Sequence, residues 1–174
     1  MNFYAGRFNL YLLVLLVLSV VFTGCATHKK HEPVGAIRVH IENSANAEGQ
    51  GQTVSVLRAD PVLVTIAKDP ILTEANLLKA SLIETPGGFS VELKFDHTGA
   101  WTLEQFSAAY ASKHFVIFGQ WGDKLKDGRW LAAPLITGRI ASGLLSFTPD
   151  MSRAEAQQLV TGLNNTAKKI QTGK

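Results

Sequence analysis

The chain of 174 residues carries a single cysteine, at position 25. One thiol excludes a disulfide within the chain and every zinc site built on two or more thiolates. Excess charge is scarce too: 17 Lys and Arg face 14 Asp and Glu, a formal net charge of +3, with the signs interspersed. No basic block marks a nucleic-acid groove. The local motifs of catalysis are missing as well: no serine elbow, no glycine-rich phosphate loop, no His/Asp cluster at metal-ligand spacing. After residue 25 no apolar run is long enough to cross a bilayer as a helix. These absences point away from an enzyme, and no cofactor, metal or small-molecule substrate is expected. With 46% hydrophobic residues the chain can bury one good core, and its length suits one domain with extensions.

What is there begins at the N-terminus. Leu10 to Phe22 reads LYLLVLLVLSVVF, uncharged and apolar, preceded by Arg7 and followed by Thr23, Gly24 and Cys25. That is the layout of a secretory signal peptide. At about 1.5 Å per residue the run covers about 20 Å, short of the roughly 30 Å hydrocarbon core; a retained anchor would need the uncharged flanks from Phe8 to Thr27. The cysteine after a small residue at the end of the run resembles the lipobox of bacterial lipoproteins, although Phe22 departs from its usual aliphatic first position. The resemblance implies cleavage of residues 1–24, a diacylglyceryl group on the Cys25 thiol and an acylated amine beside it. Two or more acyl chains, at about 0.8 kcal/mol per buried methylene, make a durable membrane anchor. Ala26 stands where an acidic residue would retain a lipoprotein at the inner membrane. The expected address is therefore the periplasmic face of the outer membrane in a two-membrane host, or the cell exterior. Residues 25–35, including THKKHEPVG, are expected to form a flexible tether. His28 and His31 lack the further ligands of a metal site and, with Lys29 and Lys30, belong in solvent or against anionic headgroups.

From Ala36 to Ala167 the pattern predicts one α+β domain, an antiparallel sheet with two main helices packed on it, before a polar, frayed tail from Lys168 to Lys174. Ile37, Val39 and Ile41 alternate with Arg38 and His40, and Val54 and Val56 repeat the alternation after NSANAEGQGQ, which predicts a hairpin with His40 facing solvent. VLVTIAKD between Pro61 and Pro70 reads as a strand; a short turn of helix capped by Thr73 follows, with Leu72 and Leu77 inward, and then a strand at Ala80 to Glu84. After Pro86-Gly87-Gly88, Phe89, Val91, Leu93 and Phe95 alternate with Ser90, Glu92 and Lys94, one face to the core and one to water. Asp96 caps a helix bearing Gly99, Leu103, Phe106 and Tyr110 on one stripe, and its pairing with His97 is better explained by that cap than by a catalytic dyad. Trp101 then faces outward, unless a rival start at Thr102 staples it to Phe106 or its ring folds over the sheet edge. His114 to Trp121 and Arg129 to Ile136 read as strands joined by GDKLKDG, where Asp123 and Asp127 fit solvated loop charges rather than calcium ligands or an acid/base pair. Ile140 to Phe147 adds a strand with a bulge at Gly143, and Ser152 and Glu155 open an amphipathic helix through Leu159 and Leu163.

In their order and spacing these elements resemble the head of the first periplasmic domain of SecD, the Sec translocon accessory subunit, from about Val64 to Asn164. The matching positions are Leu72, Thr73 and Leu77; Val91, Leu93, Phe95, Asp96, Gly99 and Ala100; Ala133, Pro134, Leu135 and Ile136; Phe147 and Thr148; and Glu155, Ala156, Leu159, Leu163 and Asn164. The loop from Gly122 to Gly128 is longer than the family's hairpin, and Leu145 replaces its glycine. SecD works through transmembrane helices and the proton gradient, which this chain lacks the helices to use. The resemblance implies the α+β fold, no catalytic residues, and an affinity for exported polypeptide. The function expected is thus a lipid-anchored envelope module that binds exported polypeptide or a Sec or envelope protein through an apolar patch, with Trp101, Trp121 and Trp130 as candidate contacts, or by strand addition at a sheet edge. The alternative is a structural adaptor with one fixed partner and no role in export.

Overall fold

The computed structural model describes residues 32–43 and 51–173. The apolar leader, Cys25, His28 and His31 lie outside the described residues. Strands β1 (Ala36–Ile41), β2 (Gly51–Val56), β3 (Val62–Ala67) and the short β4 (Leu72–Thr73) lead through a 3-10 turn at Glu74–Asn76 into β5 (Leu77–Thr85) and β6 (Gly88–Phe95). Helix α1 (His97–Ala109) follows, then β7 (Phe115–Trp121), a 3-10 turn at Asp123–Leu125, β8 (Asp127–Ala132), β9 (Leu144–Phe147) and helix α2 (Arg153–Thr172). Every named strand pair is antiparallel. The antiparallel α+β architecture with two principal helices is as read, but its strands divide among three sheets, ordered β4-β1-β7-β8, β2-β3 and β5-β6-β9.

The principal core lies where α2 meets both larger sheets. Ile37 and Val39 of β1, Phe115 and Ile117 of β7, Val91 and Leu93 of β6, and Leu159 and Leu163 of α2 are all at most 1% exposed. Each such side chain contributes about 1.5–3 kcal/mol of burial. The predicted caps hold the helices in place. Asp96 Oδ1 accepts from Gly99 N at 2.7 Å, so α1 starts at His97 and the rival start at Thr102 is not used. The Ser152 hydroxyl accepts from Glu155 N at 3.3 Å, and the Glu155 carboxylate accepts from Ser152 N at 2.7 Å. Asn164 ties α2 to the edge of β5: its Oδ1 accepts from Ala80 N at 2.8 Å and its Nδ2 donates to Ala80 O at 2.9 Å. The amide thus stands in for a neighbouring strand. Leu145 is buried opposite Leu93, adding core volume where the resemblance expects a glycine.

Three local readings change. First, β1 does not form a hairpin with β2; it lies between β4 and β7, while β2 pairs with β3 from Gly51↔Ala67 to Val56↔Val62. That β2–β3 hairpin lays Val54, Val56, Val64 and Ile66 over Val116, making a second core on the outer face of the four-stranded sheet. His40 is therefore buried, at 6% exposure, rather than solvent-facing. Second, the register shifts fall at Leu131, because Phe118 pairs with Trp130 while Ile117 pairs with Ala132, and at Leu78, between Leu77↔Phe95 and Lys79↔Lys94, rather than at Gly143. Gly143 instead has φ +70 and lets the backbone approach α1, where a Cβ would stand 2.8 Å from that of Ala100. Third, α2 continues to Thr172, so the segment read as a frayed tail is helical almost to its end.

Residues 32–35, the described part of the segment expected to be tether, are held against α2. Gly35 N donates to Thr166 Oγ1 at 3.2 Å, Asn165 Nδ2 donates to Pro33 O at 3.0 Å, and Lys169 pairs with Glu32 at 3.1 Å. Val34–Gly35 crosses α2 at Gly162, where the two backbones touch without an intervening side chain. The chain thus enters the domain along this helix.

Candidate functional site

The three tryptophans named by the sequence have three different surroundings. Trp121 shares the inward face of β7 with Phe115 and Ile117 and is 2% exposed, with the Arg129 guanidinium 5.0 Å from its ring centroid. It offers nothing to a partner, which corrects the expectation that it is a contact. Trp101 stands on the outer side of α1 and is 60% exposed, so neither the staple nor the folded-over ring describes it. Trp130 is half-buried on the outer face of β8. Its ring centroid lies 5.1 Å from that of Phe118 and 5.4 Å from that of His40, the latter edge-on. The three candidates are therefore not one patch.

A groove forms around Trp130 because the β2–β3 hairpin covers only part of the sheet face beneath it. Val116 is sealed under the hairpin, whereas Phe118, the next outward residue of β7, is left half-exposed beside Trp130. Two adjoining clefts share Phe118 and Trp130. The larger, of about 480 Å³, runs toward Ser55, Arg58 and Arg129; the smaller, of about 290 Å³, runs toward Arg38, Gln52 and Lys68. Four cations thus line the clefts, and no carboxylate does among the described residues.

Two of these cations are held in place from behind. Arg58 Nε pairs with Asp150 at 3.2 Å, and Arg129 pairs with Glu155 at 2.8 Å while donating to Asp150 O at 3.1 Å. The first-turn backbone hydrogen bond from Ser152, helped against partial burial by the Ser152 hydroxyl and Arg129, brings the Glu155 carboxyl down to about 2. These contacts favour the ionised carboxylate that pairs with Arg129. Arg38 is exposed on β1 and has no ion pair among the described residues. Beneath Trp130, His40 Nδ1 donates to Ala67 O at 2.9 Å. Burial holds this imidazole below its ordinary pKa against that hydrogen bond, with Arg38 adding to the shift and Asp69 opposing it. The floor is thus neutral and aromatic and the rim cationic.

The other groups that the sequence offered for chemistry do not come together. Asp123 and Asp127 are exposed at either side of the β7–β8 turn, and His97 is exposed behind the Asp96 cap. Among the described residues no three His, Cys, Asp or Glu side chains gather where a metal ion could be held. The sequence reading missed Phe118 and the four cations. The signal for Phe118 was the run FVIF at residues 115–118, apolar at both parities, which demands cover on both faces of β7.

The model of the SecDF P1 head subdomain family matches residues 43–167, more than half of the chain. The chain belongs to this family. The match takes in the β2–β3 hairpin as well as the elements from Val64 onward on which the resemblance rested. Two solved structures share the P1 head fold. One, of SecDF as a membrane component that enhances protein export, has 20% identity and a TM-score of 0.52, over 76% of this chain and 63% of that one. The other, SecDF in a super-membrane-facing form, has 21% identity and a TM-score of 0.52, over 75% of this chain and 18% of that one. The chain thus spans less than two thirds of either. Comparison with curated proteins returned no match. No helix among the described residues is long and apolar enough to cross a membrane.

Proposed function

We propose that this protein is a lipid-anchored envelope module of protein export, held to the periplasmic or external membrane face through Cys25, that engages exported polypeptide without catalysing a reaction. The observation that carries this reading is the groove at Trp130: two half-exposed aromatic rings between a hairpin and a sheet, rimmed by Arg38, Arg58, Lys68 and Arg129. Such a floor suits an unfolded chain, since aromatic rings take apolar side chains of many shapes at little entropic cost. Membership of the P1 head family supports the link to export, and the lipobox-like Thr23-Gly24-Cys25 supports the anchor.

The test is photocrosslinking in cells from a benzophenone amino acid at position 118, with position 101 as the comparison and Cys25→Ala run alongside. The expected result is a spread of exported proteins from position 118 and loss of membrane attachment in Cys25→Ala. Retained attachment in Cys25→Ala would revive an uncleaved anchor. A single stoichiometric envelope protein from position 101, with nothing from position 118, would favour the adaptor reading, for which the 60% exposure of Trp101 is the one supporting observation.

A further inference from the structure

The wall of the groove is a strand edge. β2 contributes Ser55 to the larger cleft and Gln52 to the smaller, and it pairs with β3 along one side only. The register decides which of its backbone groups face the other side. The Thr65 carbonyl accepts from Asn43 N at 2.8 Å, and the Ala67 carbonyl accepts from His40 Nδ1 at 2.9 Å, so both point away from β2. Thr53↔Thr65 and Gly51↔Ala67 are therefore pairs of the non-hydrogen-bonded kind, in which side chains approach closely; the two threonine hydroxyls are 3.3 Å apart. By the same alternation the N–H and C=O groups of Thr53 and Ser55 point away from β3. Among the described residues nothing meets them, and β8, although close by, pairs only with β7. A short row of unpaired donors and acceptors thus borders an aromatic floor.

We infer that the groove binds its polypeptide as an added strand on the edge of β2, and that it selects segments in which an apolar side chain is flanked by acidic residues. Backbone pairing with Thr53 and Ser55 gives sequence-tolerant affinity, while alternate side chains of the added strand descend onto Trp130 and Phe118. The acidic preference follows from charge complementarity with Arg38, which has no ion pair among the described residues, and from cleft linings in which the described residues include no carboxylate; Arg58 and Arg129 at the other end already share their charge with Asp150 and Glu155. This inference rests on the groove being the polypeptide site.

The test uses the full chain in detergent micelles and fluorescent ten-residue peptides with a central Leu-x-Phe, flanked in one by Asp and in the other by Lys. Two further versions of the acidic peptide carry N-methyl groups on one or the other alternate set of amides. The expected result is binding of the acidic peptide about fivefold or more tighter than its basic counterpart, with the difference shrinking in high salt. N-methylation of one alternate set should weaken binding about tenfold, and of the other set hardly at all, because only one set faces β2. Ser55→Pro, which removes an outward N–H that the β2–β3 ladder does not use, should reproduce the loss while leaving the circular dichroism spectrum unchanged. Equal affinity for both charges, or equal response to the two methylation patterns, overturns this inference while leaving a polypeptide-binding groove. Failure of every peptide to bind overturns the groove reading itself.

Discussion

Gly162 offers a test in which two physical effects have opposite signs. It lies inside α2, where replacing glycine by alanine ordinarily stabilises a helix by about 1 kcal/mol. Here a Cβ would stand 2.5 Å from Val34 O, 2.6 Å from Val34 C and 2.7 Å from Gly35 N. These are backbone atoms, so no rotamer change can relieve the contact. Nor can the segment slide freely, because Gly35 N is bonded to Thr166 and β1 begins one residue later. Overpacking costs about 1–3 kcal/mol, and contacts of 2.5–2.7 Å with fixed backbone atoms belong in the upper part of that range, about 2–3 kcal/mol, which outweighs the propensity gain. Gly162→Ala is therefore expected to destabilise the domain by about 1–2 kcal/mol net, a fall in melting temperature of about 3–6 °C for a domain of this size. Thermal and urea denaturation of the two proteins measure it. Gly35→Ala, whose Cβ would meet Leu163 N at 2.7 Å from the other side, should act alike. An unchanged or raised melting temperature in Gly162→Ala would mean that residues 32–35 do not pack on α2, and that the tether extends to Ala36 after all.

Three further outcomes follow from the polar contacts. Asn164→Ala leaves the N–H and C=O of Ala80 without their partner, so it should cost about 1–3 kcal/mol in urea unfolding, more than an exposed helix Asn would. Glu155 has its folded pKa lowered to about 2 from 4.5, so its contribution is present above pH 4.5 and lost as pH falls toward 2. Discounted for solvent screening, that loss is on the order of 1 kcal/mol, and Glu155→Gln should lack this component in urea midpoints taken from pH 5 to pH 2. His40 has its pKa lowered, first by burial, so the unfolded chain takes up its proton more readily and stability falls as pH drops through 6.5. His40→Gln should flatten that slope between about pH 7 and pH 5, and a slope unchanged by the substitution would refute the burial of a neutral imidazole there.

The strands and helices were legible wherever one residue's neighbours sufficed to decide the matter. Val91 to Phe95 alternates because the face bearing Glu92 and Lys94 meets water, although Ser90 on that face is buried, and Asp96 and Ser152 mark helix starts because a side-chain oxygen there meets a free N–H of the first turn. What escaped was decided by contacts across the fold. Asn164 reads as an ordinary polar helix residue until β5 is beside it. His40 reads as a surface residue by parity until a separate hairpin arrives on its face, and nothing in the local pattern of β1 and β2 tells that the two strands belong to different sheets.

The tryptophans show how much of the candidate site hung on a single strand register. In β7 the inward set is Phe115, Ile117 and Trp121, and the outward set is Val116 and Phe118. Spacing places Trp121 with Ile117 and apart from Phe118, but nothing in the sequence says which set meets α2, because both are apolar. Across the hairpin, Trp130 opposes Phe118, and the bulge at Leu131 turns Leu131 and Ala132 both inward. Under strict alternation through Leu131, Ala132 would share the outward face with Trp130. The bulge thus fills the core while leaving Phe118 and Trp130 as adjacent rings on the other side. Deleting Leu131 removes the extra residue and leaves Trp130 opposite Phe118 and Ala132 opposite Ile117, so it should cost stability through the lost core side chain while sparing peptide binding, whereas Phe118→Ala should weaken binding far more than folding.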